Sequence, residues 1–184
     1  NFDGIHLGHQ ALLAEMTNKA KALSVTPVVL TFYPHPVEVL NPQKKLEQLT
    51  TTSEKLALME SLGVEFVCVA PFDKPLSELS PEEFFETYLV RGLKAKAVIV
   101  GYNFRFGKNR AGDTQLLRKL CDQNRISLCV VEPVYVGEKV SSSLIREKIM
   151  QGKVEEASKL LGRPYSITGL VKAGDGRGRQ LGFP

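Results

Sequence analysis

The chain has 184 residues, of which 43% are apolar and 24% charged, a composition typical of a soluble globular protein with one full domain and part of another. No stretch approaches the roughly 18 consecutive apolar residues of a membrane span, and no signal peptide is recognisable, so we expect a cytoplasmic protein with no membrane partner. The net charge of +4 is concentrated in residues 139–184, which carry nine Lys or Arg and four Asp or Glu. This local surplus fits a small polyphosphate ligand at least as well as nucleic acid, and we expect no nucleic-acid partner.

Helical and strand-like patterns alternate along the chain. Apolar residues recur at helical spacing in QALLAEMTNKAKALS, and TPVVLTFYPHP then contains a short β-branched strand. The following segments continue the alternation: TSEKLALMESLG, VEFVCVAPF, SPEEFFETYLVRGL, AKAVIVGYNF, GDTQLLRKLCDQN, ISLCVVEPVYV, SSSLIREKIMQG and KVEEASKLLG. Thr52 or Ser53 is expected to cap the second helix and Ser80 the third. The pattern predicts an α/β fold with a parallel sheet covered on both faces.

Polar clusters rich in Gly or Pro follow or adjoin three predicted strands. They are YPHP, GYNFRFGKNRAG and VSSSLIR. Ligands of open α/β sheets bind at the carboxyl ends of the strands, so these clusters are expected to line one site. Lys108 and Arg110 in the second cluster either hold a polyphosphate or are solvated loop charges, with neither interpretation favoured.

The two ends of the chain predict further structure. NFDGIHLGH should follow a strand upstream of Asn1, so we expect the 184 residues alone to lack a central strand, expose apolar faces and express poorly. After LLGRPY the helical pattern stops, and GDGRGR lies between short β-like runs. We therefore expect a domain over residues 1–163 and the beginning of an all-β domain over residues 164–184.

His6-Leu7-Gly8-His9 lies at a predicted strand-to-helix turn. A helix N-terminus offers unpaired N–H groups and a positive dipole end, and two imidazoles there can both donate hydrogen bonds to one phosphate. Gly8 would let a nucleotide approach the backbone without meeting a Cβ. Two alternatives stay open on these residues: the histidines cap the helix, or they share a zinc ion, for which no acidic or Cys partner is convincingly spaced.

These motifs resemble those of a known family. His6-Leu7-Gly8-His9 resembles the HxGH signature of the nucleotidyltransferase superfamily, and VSSSLIR resembles its ISSTxIR signature, with Ser143 where Thr is usual. NFDGIHLGHQ, LTFYPHP, GYNFRFGKNRAGD and LLGRPY followed by GRGRQLGFP together resemble the bacterial bifunctional FAD synthetases. The resemblance implies a Rossmann-like nucleotidyltransferase domain followed by the start of a riboflavin kinase barrel.

The resemblance also implies site residues. The catalytic groups would be His6, His9 and Arg146, which contact the ATP phosphates in the transition state. ATP would further be bound by Gly8, Asn103, Ser142, Ser143 and Arg146. The implied FMN-binding residues are Asn1, Phe32, Pro34, His35 and Pro36, although YPHP could also simply end a strand rigidly. No protein metal site is implied, and Mg²⁺ would be held mainly by the ATP phosphates.

The implied reaction is ATP + FMN giving FAD and pyrophosphate, with the longer parent chain also phosphorylating riboflavin. FMN brings an ionised nucleophile, so no protein nucleophile is required. Two alternatives remain: another HxGH transferase, using CTP or acting on phosphopantetheine or nicotinate mononucleotide, and a nucleotide- or flavin-binding module without catalysis. The sequence gives no indication of the oligomeric state.

Overall fold

A computed structural model describes residues 2–43 and 47–170 together with residues 177 and 182. The longer helices are α1 (Leu7–Leu23), α3 (Thr52–Ser61), α6 (Thr114–Gln123), α7 (Ser142–Met150) and α8 (Val154–Leu161). Shorter helical segments are α2 (Pro36–Leu40), α4 (Lys74–Glu78), α5 (Pro81–Phe84), a π-helix (Phe85–Gly92) and a 3₁₀ turn (Lys108–Arg110). The strands are β1 (Val28–Tyr33), β2 (Phe66–Pro71), β3 (Ala97–Gly101), β4 (Ser127–Val131), β5 (Tyr135–Val136) and β6 (Glu138–Lys139).

The principal strands pair in parallel, which confirms the predicted α/β fold. β1 pairs with β2 in the register Val28 opposite Phe66, and β3 pairs with β4 in the register Ala97 opposite Ser127. β5 and β6 form a short antiparallel hairpin. Within the described ranges each pair forms its own two-stranded sheet. The strand predicted before Asn1 lies outside this chain and stays a prediction.

Apolar packing fixes the segment that begins the chain. Ile5 is fully buried in a cluster with Leu13 and Met16 of α1, Met59 of α3 and Val29 of β1. Burying a side chain of this size stabilises the fold by about 1.5–3 kcal/mol. The residues immediately before α1 are therefore held against two helices and a strand.

Two helix starts differ in detail from the sequence prediction. α1 begins at Leu7 rather than Gln10, because the His6 side chain supplies the N-terminal cap. The cap of α3 is Thr51, and the prediction of Thr52 or Ser53 is wrong: Thr51 and Glu54 form a reciprocal capping box. The predicted cap at Ser80 is confirmed.

Two other predicted elements are interrupted. The helix that begins at Pro81 changes at Phe85 into a π-helix. The predicted fourth strand ends at Val131, because Pro133 has no N–H to donate to a ladder, and Tyr135 starts the separate hairpin.

α8 ends at Gly162, which has the left-handed conformation usual for such a cap. Most of the predicted all-β beginning, including GDGRGR apart from Arg177, lies outside the described residues.

Candidate functional site

The loop before α1 has an unusual backbone. Gly4 has φ +82°, and Ile5, a β-branched residue, has φ +42°. A Cβ on Gly4 would lie 2.8 Å from the Leu49 side chain, so a larger residue would displace Leu49 and be strained at this φ. A left-handed Ile costs on the order of 1–3 kcal/mol and persists only where its surroundings hold it. Here the buried Ile5 side chain anchors the turn that delivers His6 to the helix start.

His6 and His9 form a stacked pair at the N-terminus of α1. Their ring centroids are 3.7 Å apart with an interplanar angle of 15°. The His9 backbone N–H donates to His6 Nδ1 at 3.3 Å, which confirms the capping interpretation for His6. A Cβ on Gly8 would lie 3.1 Å from His6 Cε1. Gly8 therefore also leaves room for the His6 ring.

Both histidines favour the neutral form. Burial lowers the pKa of His6 from 6.5 to about 4, and burial together with the neighbouring His6 lowers the pKa of His9 well below its usual value. Because His6 Nδ1 accepts a hydrogen bond, the ring proton is assigned to Nε2, which is a donor. His9 Nδ1 is buried and has no hydrogen-bond partner in the described part of the chain.

Asp3 connects the loop to two other elements. Its Oδ1 accepts from the backbone N–H groups of Leu49 at 2.9 Å and Thr50 at 3.3 Å, just before α3. Its Oδ2 pairs with Arg146 Nη2 at 2.9 Å, and the Asp3 carbonyl accepts from Ser142 Oγ at 2.8 Å. Asp3 therefore fixes the loop, the entry to α3 and the first turns of α7 relative to one another.

The VSSSLIR segment contributes three side chains that differ in exposure and in hydrogen bonding. Ser142 is bound to Asp3, whereas Ser143 is exposed. Arg146 Nε is buried without a partner among the described residues, while its Nη2 is bound to Asp3. Ser141, which the sequence analysis did not single out, caps α7 by accepting from the Leu144 N–H. One guanidinium N–H of Arg146 thus remains unsatisfied beside the loop.

The YPHP segment lies at the end of β1. Phe32 packs into the core with its ring 5.8 Å from that of Phe72, which leaves less of it available for a ligand. His35 caps α2 by accepting from the Val37 N–H at 3.2 Å, and burial lowers its pKa. Pro34 follows a cis peptide bond, and Pro36 is the first residue of α2. Asn1 lies outside the described residues.

The GYNFRFGKNRAG segment, which contains Asn103, lines a separate cavity. The cavity has a volume of about 390 Å³, and its lining includes Asn103 and Arg110 but neither histidine nor Arg146. Lys108 pairs with Glu78 on α4, which raises the pKa of the lysine. Of the sequence-predicted residues, Ser142 and Arg146 bind Asp3, which precedes the His6–His9 pair in the same loop, whereas Asn103 lines a separate cavity.

Three residues missed by the sequence analysis belong to the site. Asp3 is the hub of its hydrogen bonds. Arg163 donates to the carbonyls of Gly4 at 2.7 Å and Ile5 at 3.2 Å, across 159 and 158 residues of chain. Lys55 on α3 is buried close enough to Asp3 to interact with it electrostatically. No short-range pattern marks these residues, because each acquires its partners only through the tertiary fold.

The described ranges hold no group of three or more His, Cys, Asp or Glu side chains able to hold a metal ion. They also contain no helix with the length and hydropathy needed to cross a bilayer. The cysteines Cys68, Cys121 and Cys129 are free thiols.

The parallel α/β fold and a histidine pair at a helix N-terminus define a nucleotidyltransferase-like domain. The FAD synthetase family model matches residues 1–144, and the riboflavin kinase family model matches residues 161–184. The chain therefore belongs to the FAD synthetase family.

Known proteins match the whole chain. The bifunctional riboflavin kinase/FMN adenylyltransferases of Listeria monocytogenes and of Buchnera aphidicola subsp. Schizaphis graminum are 40% and 37% identical to it. The chain spans 58% and 60% of their lengths. A crystal structure from Streptococcus pneumoniae, described as a macrolide-efflux protein, superposes with a TM-score of 0.86 at 32% identity. All of this chain and 60% of that one are covered.

Proposed function

We propose that this protein transfers AMP from ATP to FMN, giving FAD and pyrophosphate. The observation that carries the proposal is the neutral histidine pair stacked at the start of α1, in the chain just after Asp3, which holds the Arg146 guanidinium. The names of the Listeria and Buchnera relatives support the same reaction. Flavin and nucleotide substrates follow from it.

The proposed step is an in-line displacement at the α-phosphorus of ATP. An oxygen of the FMN phosphate forms the new bond to this phosphorus, and the bond to the pyrophosphate oxygen breaks. The positive end of α1 and the Nε2–H of His6 stabilise the charge that develops on the transferred group. His9, the unsatisfied Nε–H of Arg146 and the hydroxyls of Ser142 and Ser143 complete the triphosphate contacts, and Gly8 permits close approach.

The remaining assignments concern the flavin and the nucleotide. In the proposal FMN lies against Pro34, Pro36 and His35, with Phe32 supporting the loop from the core and Asn1 completing the flavin side. Asn103 positions the nucleotide from its own cleft.

The metal and the second activity are also proposals. Mg²⁺ enters as the companion of the ATP phosphates, where it neutralises charge, because Mg²⁺ is commonly held by substrate phosphates rather than by a protein cage. Residues 1–163 form the adenylyltransferase domain, and residues 164–184 begin a riboflavin kinase domain that gives the whole protein its second reaction. We place the protein in the cytoplasm.

The test is FAD formation from FMN, ATP and Mg²⁺ in wild type, His6→Asn, His6→Ala and His9→Ala proteins. Asn is a good N-cap residue, so His6→Asn retains the helix cap and removes the imidazole. We expect turnover to fall by about 10²-fold or more in His6→Asn and His9→Ala, with FMN affinity nearly unchanged. Undiminished turnover in both would refute the catalytic assignment.

The same assay separates the alternatives. Replacing ATP by CTP, or FMN by phosphopantetheine or nicotinate mononucleotide, tests for another HxGH transferase. FMN and ATP binding without FAD formation in the wild type would instead indicate a binding module.

A further inference from the structure

Lys55 is a lysine whose side chain is largely buried. It lies near the start of α3, and only 7% of its surface is exposed. Lysines are almost never buried to this degree unless they are paired, because desolvating an ammonium without a partner is costly. Throughout residues 2–43 and 47–170 no hydrogen bond or ion pair to the Lys55 ammonium is formed. The stem of Lys55 therefore lies within the fold, while its ammonium, which is not among the fully buried unpartnered atoms, reaches solvent without a counter-ion among the described residues.

The carboxylates near Lys55 are already engaged. Asp3 and Glu38 both lie near enough to favour its charged form. The Asp3 carboxylate, however, is bound to Arg146 and to backbone N–H groups, and Glu38 accepts a hydrogen bond from Gln48. Neither acid forms an ion pair with Lys55. The pKa of Lys55 is lowered, chiefly by burial, as expected of a cation without a close partner.

The position of Lys55 points to its ligand. Met59, one turn after Lys55 on the same face of α3, packs in one cluster with Ile5 and Leu13, so Lys55 lies towards the loop before α1. Its charge also helps to lower the pKa of His9 and of His35 in the YPHP segment. Arg146 approaches the same Asp3 carboxylate from α7. Two cations thus flank one carboxylate, beside a neutral histidine whose Nδ1 has no partner in the described residues. Such an arrangement has an excess of positive charge and of unsatisfied polar groups, and it is suited to an anion.

We propose that the Lys55 ammonium binds a substrate phosphate group between the histidine pair and the YPHP segment. The proposal deepens the proposed function and rests on it for the identity of the substrates. Two sources share this chemistry: the phosphate monoester of FMN and the α-phosphate of ATP. A lysine suits either, because its ammonium acts as a compact point charge with three rotatable donors.

The experiment compares equilibrium binding of ligand pairs that differ only in phosphate. FMN is compared with riboflavin, and ATP with adenosine, by calorimetry on wild type, Lys55→Met and Lys55→Arg proteins. Lys55→Met keeps the length of the side chain and removes its charge, whereas Lys55→Arg keeps the charge. The matched control is Lys119→Met, which changes an exposed lysine on α6.

In Lys55→Met we expect the affinity for FMN or for ATP to fall by about 10- to 100-fold, with riboflavin and adenosine unchanged. A loss for FMN alone identifies the phosphate monoester, and a loss for ATP alone identifies the α-phosphate. Lys55→Arg should retain most of the affinity, and Lys119→Met should match wild type. Equal losses for the phosphorylated and unphosphorylated ligands, or no loss at all, would overturn the proposal.

Two features of the experiment separate a loss of binding from a loss of folding or of turnover. Urea unfolding of Lys55→Met should show stability equal to or greater than wild type, because an apolar chain of the same length replaces a largely buried side chain whose ammonium has no ion pair among the described residues. A large loss of stability would show that Lys55 is structural and would contradict the proposal. Binding is measured without catalysis, so a phosphate-dependent loss in a protein that makes no FAD would refute the proposed function and leave the phosphate contact standing.

Discussion

Replacing Asp3 by Asn tests whether one buried carboxylate holds the site together. Asp3 is 3% exposed, and its Oδ2 pairs with Arg146 at 2.9 Å. The amide oxygen of Asn can still accept from the Leu49 and Thr50 N–H groups, so the change chiefly removes the charge facing the guanidinium. Removing one partner of a buried pair costs about 3–5 kcal/mol. The Arg146 side chain is 23% exposed, so we expect the low end, about 3 kcal/mol.

Urea unfolding measures this loss directly. With a slope of about 2 kcal/mol/M, typical of a protein this size, a loss of 3 kcal/mol moves the midpoint down by about 1.5 M. The double variant Asp3→Asn/Arg146→Met removes the stranded guanidinium as well. It should recover at least half of the lost stability, while FAD formation stays low because Arg146 is absent. A loss below about 1 kcal/mol in Asp3→Asn, or strictly additive losses in the double variant, would refute the reasoning.

Three further predictions concern the loop, its pH dependence and a neighbouring turn. Arg163→Ala should lower the unfolding free energy by about 2–3 kcal/mol and slow turnover, because Ile5 loses a partner that holds its left-handed backbone. Added guanidinium should partly restore turnover. Full activity in the variant would contradict this prediction. The His6 pKa near 4 means that the unfolded state binds more protons between pH 6.5 and 4, so stability falls as the pH is lowered through that window, by on the order of 3 kcal/mol from this residue. His6→Asn should therefore lose less stability than wild type between pH 7 and 4.5 in urea unfolding, and parallel losses would count against the shifted pKa. Gly107→Ala should lower the melting temperature by several degrees, since the new Cβ would lie 2.6 Å from the Pro81 backbone at a φ of +72°; an unchanged melting temperature would show that the turn relaxes freely.

The alternation of helices and strands, and hence the α/β class, could be predicted from the sequence because hydrophobic period is a local signal. The histidine pair could be predicted as well, since its spacing and its place before a helix are local features. Asp3, Lys55 and Arg163 could not, because what distinguishes them is burial and pairing across long stretches of chain. The Asp3–Arg146 pair spans 143 residues, for example. No periodicity indicates which of the 24 Lys and Arg residues will be buried.

The π-helix was missed for a related reason. Phe85 and Leu89 have a spacing that suits an α-helix, and the shift in backbone hydrogen bonding depends on how the helix packs. Phe32 shows how tertiary packing adds to a local prediction. Its contact with the flavin stays a prediction, and the structure adds that its ring lies against Phe72 and Phe84 in the core.

The hydrogen bonds from Arg163 to the loop carbonyls cross the boundary between the two family matches on this chain. Arg163 falls within the riboflavin kinase match at residues 161–184, yet both of its bonds go to Gly4 and Ile5 of the FAD synthetase match. Gln10 ties the same loop to the Leu161 carbonyl. A truncation made at the edge of the sequence families, before residue 161, would therefore remove hydrogen bonds that support the loop before α1. A fragment that contains the FAD synthetase match should therefore extend through Arg163, so that its C-terminal boundary retains these hydrogen bonds.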